Sequence, residues 1–184
     1  MRKRRPVVGV IGSGRVADPQ SAEVGRLIAR LGYDLLTGGG RGVMEAVSRA
    51  FCETSPRSGV AIGVVPGLVH GLDRLEGRKA TDATYELHPG YPNEWVEIAI
   101  YTHLPDSGAE GTLRSSRNHI NVLSSNAIVV LPGREGTESE VFLAKQYGVP
   151  IVAYGHHLGP PPLGVHLASS IDEVEQFLVR SLRA

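Results

Sequence analysis

The sequence predicts an α/β protein, a Rossmann-like three-layer fold with a mainly parallel sheet and helices on both faces. Three observations support this prediction: short apolar runs alternate with segments of helical spacing, glycine turns follow three of the runs, and 184 residues fit one domain. We therefore treat residues 1–184 as a single nucleotide-binding-like domain, with a basic tail at residues 1–5 and a long excursion at residues 67–93.

The predicted strands are short runs rich in β-branched residues and bounded by Gly or Pro. They are residues 7–11, 33–36, 60–65, 95–101, 127–131, 150–154 and 165–167. Residues 67–93 carry mixed charge and scattered Gly and Pro without a sustained period. We expect this segment to be an irregular excursion over the sheet edge and a candidate lid.

Helices are predicted where apolar residues recur three or four positions apart. The residues expected to face the core are Val24, Leu27, Ile28 and Leu31 in the first helix, Val43, Ala46, Val47, Ala50 and Phe51 in the second, Leu113, Ile120 and Leu123 in the third, and Ile171, Val174, Leu178 and Leu182 in the last. We expect Asp18 to cap the first helix, with Pro19 at its first position. A fourth helix should cover residues 138–147 and stop at Gly148, and Ser170 with Glu173 predicts a capping box for the last helix.

Charge and composition argue against several classes of partner. Lys+Arg and Asp+Glu both number 19, so the formal net charge is zero and we expect no nucleic-acid partner and no membrane partner. No apolar run approaches the ~20 residues of a membrane span. The single Cys52 predicts a reduced, cytoplasmic protein with this residue in or near the core. The spacing of the histidines predicts no metal site.

The first glycine turn has two interpretations. Gly12, Gly14 and Ala17 fit the pattern G-x-G-x-x-A after a strand, which is typical of dinucleotide binding, although the same glycines also serve a simple tight turn. A dinucleotide site needs an acidic residue at the end of the second strand. That place holds Thr37 followed by glycines, while Asp34 lies at the start of the strand, so an NAD(P) enzyme is disfavoured.

Glycine turns after the first, second and fifth strands together predict a seat for a phosphorylated small molecule. The carboxyl ends of parallel strands share one edge of the sheet, and free backbone N–H groups at such turns bind anions. The predicted ligand-binding residues are Gly12, Ser13, Gly14, Gly38, Gly39, Gly40, Arg41, Asn118, Pro132, Gly133, Arg134, Gly136 and Thr137.

Two charged residues are candidates for chemistry. Arg117 can hold an anion or stabilise developing negative charge, although its spacing alone favours an exposed helix arginine. Glu140 can act as a catalytic carboxylate near C1′ of a bound nucleotide. Its spacing from Thr137 also fits S/T-x-x-E, and from spacing alone the capping box is favoured.

Three motifs in this chain resemble the Lonely Guy (LOG) superfamily, often labelled lysine-decarboxylase-like. They are TGGGRGVMEA at residues 37–46, the pair Arg117-Asn118, and LPGREGTESE at residues 131–140, and the resemblance runs from about residue 7 to residue 154. It implies a homodimer or homotetramer that hydrolyses the N-glycosidic bond of a nucleoside 5′-monophosphate. Arg117 and Glu140 would be catalytic, no cofactor would be required, and lysine decarboxylation is not expected.

The chain differs from the LOG enzymes at three places. Arg134 replaces a motif glycine and adds bulk and charge where backbone should approach phosphate. The other two differences, Asn118 in place of the lysine of an Arg-Lys pair and the sequence RGVME directly after the glycine run, resemble the branch that includes the molybdenum cofactor carrier proteins. The leading expectation is a LOG-type phosphoribohydrolase. The alternative is a noncatalytic carrier that takes the molybdenum cofactor, a phosphorylated pterin, as its ligand.

Overall fold

The computed structural model describes residues 4–70, 84–155 and 164–182. The central part of the predicted excursion therefore lies outside the described residues. The strands are β1 Val7–Ile11, β2 Asp34–Thr37, β3 Ala61–Val65, β4 Gly67–His70, β5 Thr84–Leu87, β6 Ile98–Tyr101, β7 Ala127–Val130 and β8 Ile151–Ala153. The helices are α1 Ser21–Arg30, α2 Val43–Glu53, α3 Asn118–Leu123, α4 Glu135–Tyr147 and α5 Ile171–Leu182, with a 3₁₀ turn at Gly108–Glu110.

Six strands form one parallel sheet in the order β6-β3-β2-β1-β7-β8. This confirms the predicted Rossmann-like fold. Strand β1 lies between β2 and β7, where Gly9 is in register with Leu36 on one side and Ile128 on the other. The three glycine turns therefore lie at the same edge of the sheet, as the sequence predicts, and the strands they follow are adjacent.

Buried apolar side chains from the strands pack against the helices in two clusters. The larger cluster joins the central strands to α1, α2 and α5, and Val174 and Leu178 of α5 are fully buried in it. Helices α1 and α2 approach closely because Gly25 has no side chain, since a β-carbon there would clash with the backbone oxygen of Val47. Cys52 packs against this cluster, and its thiol lies 3.3 Å from the Trp95 carbonyl, so its predicted place near the core is confirmed.

The predicted inward face of α3 is wrong. Leu113 and Leu123 are 50% and 60% exposed, whereas Asn118 and Asn121 are 3% exposed. Helix α3 packs against α4, and the Asn121 side chain on its buried face donates a hydrogen bond to Glu140 of α4. The spacing of apolar residues gave the wrong inward face because the buried side of this helix carries the polar residues Asn118 and Asn121.

Several helix starts also differ from prediction. Helix α4 begins at Glu135, three residues earlier than expected. Helix α1 begins at Ser21, and Asp18 accepts a hydrogen bond from the Gln20 N–H at 2.9 Å before the helix instead of capping it. Gly148 ends α4 in the left-handed conformation, as predicted.

The predicted capping box at the start of α5 is present, except that the Glu173 carboxylate accepts from the residue before Ser170. The Glu173 N–H donates to Ser170 Oγ at 3.3 Å, while the Glu173 carboxylate accepts from the N–H of Ser169 at 2.7 Å. Residues 165–167 form only a single bridge, between Ala153 and Leu167, instead of a strand.

Residues 67–70 and 84–87 of the excursion are regular, which corrects the expectation of an irregular segment there. Strands β4 and β5 pair antiparallel. The Tyr85 hydroxyl donates to the Thr102 carbonyl at 3.1 Å, which ties this hairpin to the chain just after β6. Within the described ranges, none of the helices is both long and apolar enough to cross a membrane.

Candidate functional site

The turns after β1 and β7 are in direct contact. The Ser13 N–H donates to the Pro132 carbonyl at 3.0 Å, and a β-carbon on Gly133 would lie 3.1 Å from the carbonyl carbon of Gly12. The Ser13 hydroxyl accepts the backbone N–H of Val16 at 3.1 Å, which closes the first turn on itself. These two turns form one continuous glycine surface.

The start of α4 lies at this surface and has no side-chain cap. The N-cap residue is Arg134, whose side chain makes no capping hydrogen bond, and the first N–H groups of a helix have no partner within the helix. Gly133 and Arg134 are exposed, and Gly133 must be glycine because a β-carbon would clash with the Thr137 hydroxyl. Free N–H groups, the positive end of the helix dipole and a cationic side chain together favour an anion.

The glycine turn after β2 is covered, which corrects the expectation of an open seat there. Gly38, Gly39 and Gly40 are all buried. A β-carbon on Gly38 would clash with the Arg117 guanidinium, and one on Gly40 would lie 2.7 Å from the Tyr91 ring. These glycines therefore make room for two side chains of the protein.

Residues 91–95, hereafter the clamp segment, hold this second turn in place. The Asn93 N–H donates to the Gly39 carbonyl and its Nδ2 to the Gly40 carbonyl, both at 2.7 Å. Arg41 points outward and lies against Gly90, just before the clamp segment, since a β-carbon on that glycine would be 3.1 Å from Arg41 Nε. The clamp segment thus joins the end of the excursion to the site.

Arg117 is buried, so the expectation of an exposed helix arginine is wrong. Its side chain projects from the start of α3 and only 5% of the residue is exposed. Nη1 donates to the Val64 carbonyl at 2.9 Å, and the guanidinium lies 5.8 Å from the centre of the Tyr91 ring. Nε is buried and has no hydrogen-bond partner among the described residues. A fixed positive charge therefore lies behind the β2 turn.

Glu140 is held by α3 and does not cap α4, so the predicted capping box is wrong. Because α4 begins at Glu135, Glu140 lies within the helix, and its Oε1 accepts a hydrogen bond from Asn121 Nδ2 at 3.0 Å. Burial raises the pKa of the Glu140 carboxyl, while the Arg117 charge and the Asn121 hydrogen bond oppose that rise. The residue as a whole is half-buried.

Asn118, a predicted ligand-binding residue, lies against the 3₁₀ turn. A β-carbon on Gly111 would clash with its Nδ2, and the neighbouring Ser139 hydroxyl donates to the Gly108 carbonyl at 2.9 Å. Gly136 also packs against Gly108. These contacts fix the loop before α3 on the first turns of α4.

Three residues at the site were missed by the sequence analysis: Tyr91, Asn93 and Asn121. The first two lie in the irregular end of the excursion, after β5, and carry no motif. Asn121 could have been found, because it lies four residues after Arg117 and so on the same face of a helix.

The comparisons with known proteins cover nearly the whole chain. The molybdenum cofactor carrier protein of Chlamydomonas reinhardtii is 28% identical, covers 98% of this chain and 100% of its own, and superposes with a TM-score of 0.70. The molybdenum cofactor binding protein of the phototrophic bacterium Rippkaea orientalis is also 28% identical, with 98% and 99% coverage and a TM-score of 0.66. A protein of Archaeoglobus fulgidus with no described function is 27% identical over 95% of each chain.

These matches confirm the predicted resemblance to the LOG-like superfamily and to the branch near the carrier proteins. Residues 5–176 match the SLOG cluster4 family, which is more than half of the chain. The chain therefore belongs to the SLOG cluster4 family.

Proposed function

We propose that this protein binds and carries a phosphorylated pterin of the molybdenum cofactor type at the carboxyl edge of its sheet. The observation that carries the proposal is the seat at the start of α4, where uncapped N–H groups, exposed Gly14 and Gly133, and the Arg134 cation lie on one surface. Two full-length structural relatives that carry or bind the molybdenum cofactor support this choice of ligand.

The residues present fit a ligand with a terminal phosphate. The first N–H groups of α4 would hold the phosphate oxygens, and Arg134 would add a charge-assisted hydrogen bond. Close approach is possible because Gly133 and Gly12 expose backbone instead of side chains. The chain's own residues would bind and orient this cargo without chemical change.

The direct test is the small molecule released from the purified protein. Mass spectrometry and the fluorescence of the oxidised pterin should identify a phosphorylated pterin, and added molybdenum cofactor should bind with one site per chain. A protein that takes up no isolated molybdenum cofactor would contradict the proposal. The homo-oligomeric state, the cytoplasmic location and the lack of a nucleic-acid partner stay predictions.

Replacing Arg134 by Ala is expected to weaken binding of isolated molybdenum cofactor. Loss of a hydrogen bond between a guanidinium and a phosphate costs about 1.5–3 kcal/mol, or roughly tenfold to a hundredfold in Kd. Equilibrium dialysis with molybdenum quantification measures this change. Arg30→Ala is the matched control, because Arg30 is an exposed arginine at the end of α1, at the opposite edge of the sheet. Equal affinities of Arg134→Ala and Arg30→Ala for the molybdenum cofactor would show that Arg134 does not contact the ligand.

A second candidate function is hydrolysis of the N-glycosidic bond of a nucleoside 5′-monophosphate. The arrangement that favours it is the buried Arg117 guanidinium, whose charge acts on the Glu140 carboxyl. A carboxylate beside the ribose can orient water or stabilise an oxocarbenium-like transition state at C1′. Wild-type protein should then release free base from AMP or from isopentenyladenine monophosphate. If the wild-type protein releases no free base from a panel of nucleotides, the hydrolase candidate is contradicted and the carrier proposal is unaffected.

A further inference from the structure

The amide of Asn121 is the contact through which α3 holds Glu140. Asn121 follows Arg117 by one helical turn, and both side chains are almost fully buried. Its Nδ2 donates to Glu140 Oε1 at 3.0 Å. The two charged candidates are therefore linked to the same short helix, one as its N-cap residue and one through this amide.

The backbone of Asn121 is held by a hydrogen bond from Ser125. The Ser125 hydroxyl donates to the Asn121 carbonyl at 2.8 Å. Ser125 lies against β1 at Gly9, where a β-carbon would clash with its hydroxyl. The centre of the sheet therefore sets the position from which the Asn121 amide reaches Glu140.

The hydrogen bond to Glu140 explains why an asparagine occupies position 121. Asn121 Oδ1 is buried and has no hydrogen-bond partner among the described residues, which is a cost that a leucine of similar size would avoid. The Nδ2 group gives its hydrogen bond to Glu140. A donor amide favours the ionised form of a carboxyl, and Arg117 on the same helix acts in the same direction, while burial opposes both.

We propose that Asn121 is a positioning residue that fixes the Glu140 carboxylate in one orientation beside Arg117. This rests on and deepens the second candidate function, hydrolysis of a nucleoside 5′-monophosphate, because it names the residue that decides how Glu140 meets the nucleotide. The hydrogen bond can be tested in the free protein, so its outcome is separate from that of the proposed function.

The test is a carbon-13 NMR titration of the Glu140 carboxyl in the full chain. Asn121→Leu removes the donor and should raise the proton affinity of Glu140 roughly tenfold to a hundredfold, since a hydrogen bond to a charged group is worth that much. Asn121→Asp keeps the shape but adds a like charge, so it should raise the proton affinity as well. A titration midpoint that does not move in either folded variant overturns the proposal. If the Leu variant does not fold, the isosteric Asp variant decides.

Asn126 provides the matched control. It is an exposed asparagine whose Oδ1 accepts the Val7 N–H at 2.8 Å. Asn126→Asp keeps that acceptor and should leave the Glu140 titration unchanged. A shift of equal size in this control would show a general effect of charge and would also overturn the proposal.

Ligand binding gives a second readout. AMP affinity measured against pH should change with a midpoint that follows the Glu140 titration in wild type and in both Asn121 variants. AMP that does not bind wild type contradicts the nucleotide hydrolase candidate, while the NMR comparison still decides the role of Asn121.

Discussion

Replacing Glu140 by Gln should lower the release of free base from a nucleoside 5′-monophosphate by ~10²–10⁴, the usual worth of a positioned acid or base. Gln has nearly the same shape, and its oxygen can still accept the hydrogen bond that Asn121 gives to Glu140. The substitution therefore removes the ionisable group with little change in packing. Single-turnover assays with AMP and isopentenyladenine monophosphate measure the effect.

Glu138→Gln is the control for this experiment. Glu138 lies in the first turn of the same helix but is exposed, so its replacement should leave base release unchanged. Base release that survives in Glu140→Gln would exclude a catalytic role for this carboxyl. The Glu140 carboxyl would then serve only to hold α3 against α4.

Stability against pH reports the ionisation of Glu140 without any ligand. Burial raises the pKa of this carboxyl above its ordinary value of 4.5, so the folded protein holds the proton more tightly than the unfolded chain. The free energy of unfolding contributed by Glu140 should fall as pH rises from about 4.5 through the raised native pKa. Denaturant unfolding of wild type and Glu140→Gln at a series of pH values should show this fall only in wild type.

The second large effect is expected from Gly38→Ala. The added methyl group would clash with Arg117 Nη1 and lie only 2.8 Å from Cζ, at a guanidinium already bonded to the Val64 carbonyl. Overpacking of this kind costs about 1–3 kcal/mol of unfolding free energy. Arg117 would have to give up its hydrogen bond to the Val64 carbonyl, and denaturant unfolding measures the loss of stability.

Two comparisons separate this clash from a general loss of glycine. Gly14→Ala should be tolerated in unfolding experiments, because the nearest atom to its β-carbon is Met44 Cε at 3.5 Å. In an Arg117→Ala background, Gly38→Ala should cost much less than it does alone, since the clashing group is gone. Additive effects of the two substitutions would show that they do not act through this contact.

The strands and the shared edge of glycine turns follow from the sequence because they depend on local pattern. Val7–Ile11 and Ala127–Val130 are apolar runs before glycines, and runs of this kind are typical of parallel strands buried on both faces. Gly148 likewise ends its helix as predicted, because a left-handed residue after a helix favours glycine.

The environments of Arg117 and Glu140 could not be predicted in this way, because they depend on tertiary contacts. Arg117 is buried because Gly38 leaves room for it and the Val64 carbonyl accepts a hydrogen bond from its guanidinium. Glu140 moves from a cap to the helix interior because α4 begins earlier than its pattern suggests. For Arg117 the partner Val64 lies 53 residues away in the chain, beyond the reach of spacing rules, and for Glu140 the error lies in the predicted start of its own helix.

The clamp segment ends at Trp95, the single tryptophan of the chain. Its backbone N–H donates to Asn93 Oδ1 at 3.0 Å, and the Arg49 guanidinium lies 5.8 Å from its ring centre, while Asn93 holds the β2 glycine turn. Indole emission is sensitive to nearby charged and polar groups, so the fluorescence of Trp95 reports on the position of the clamp segment and of the β2 turn that it holds. A ligand that displaces the clamp segment should shift the emission maximum of unlabelled wild-type protein, and stopped-flow fluorescence would follow its arrival in real time.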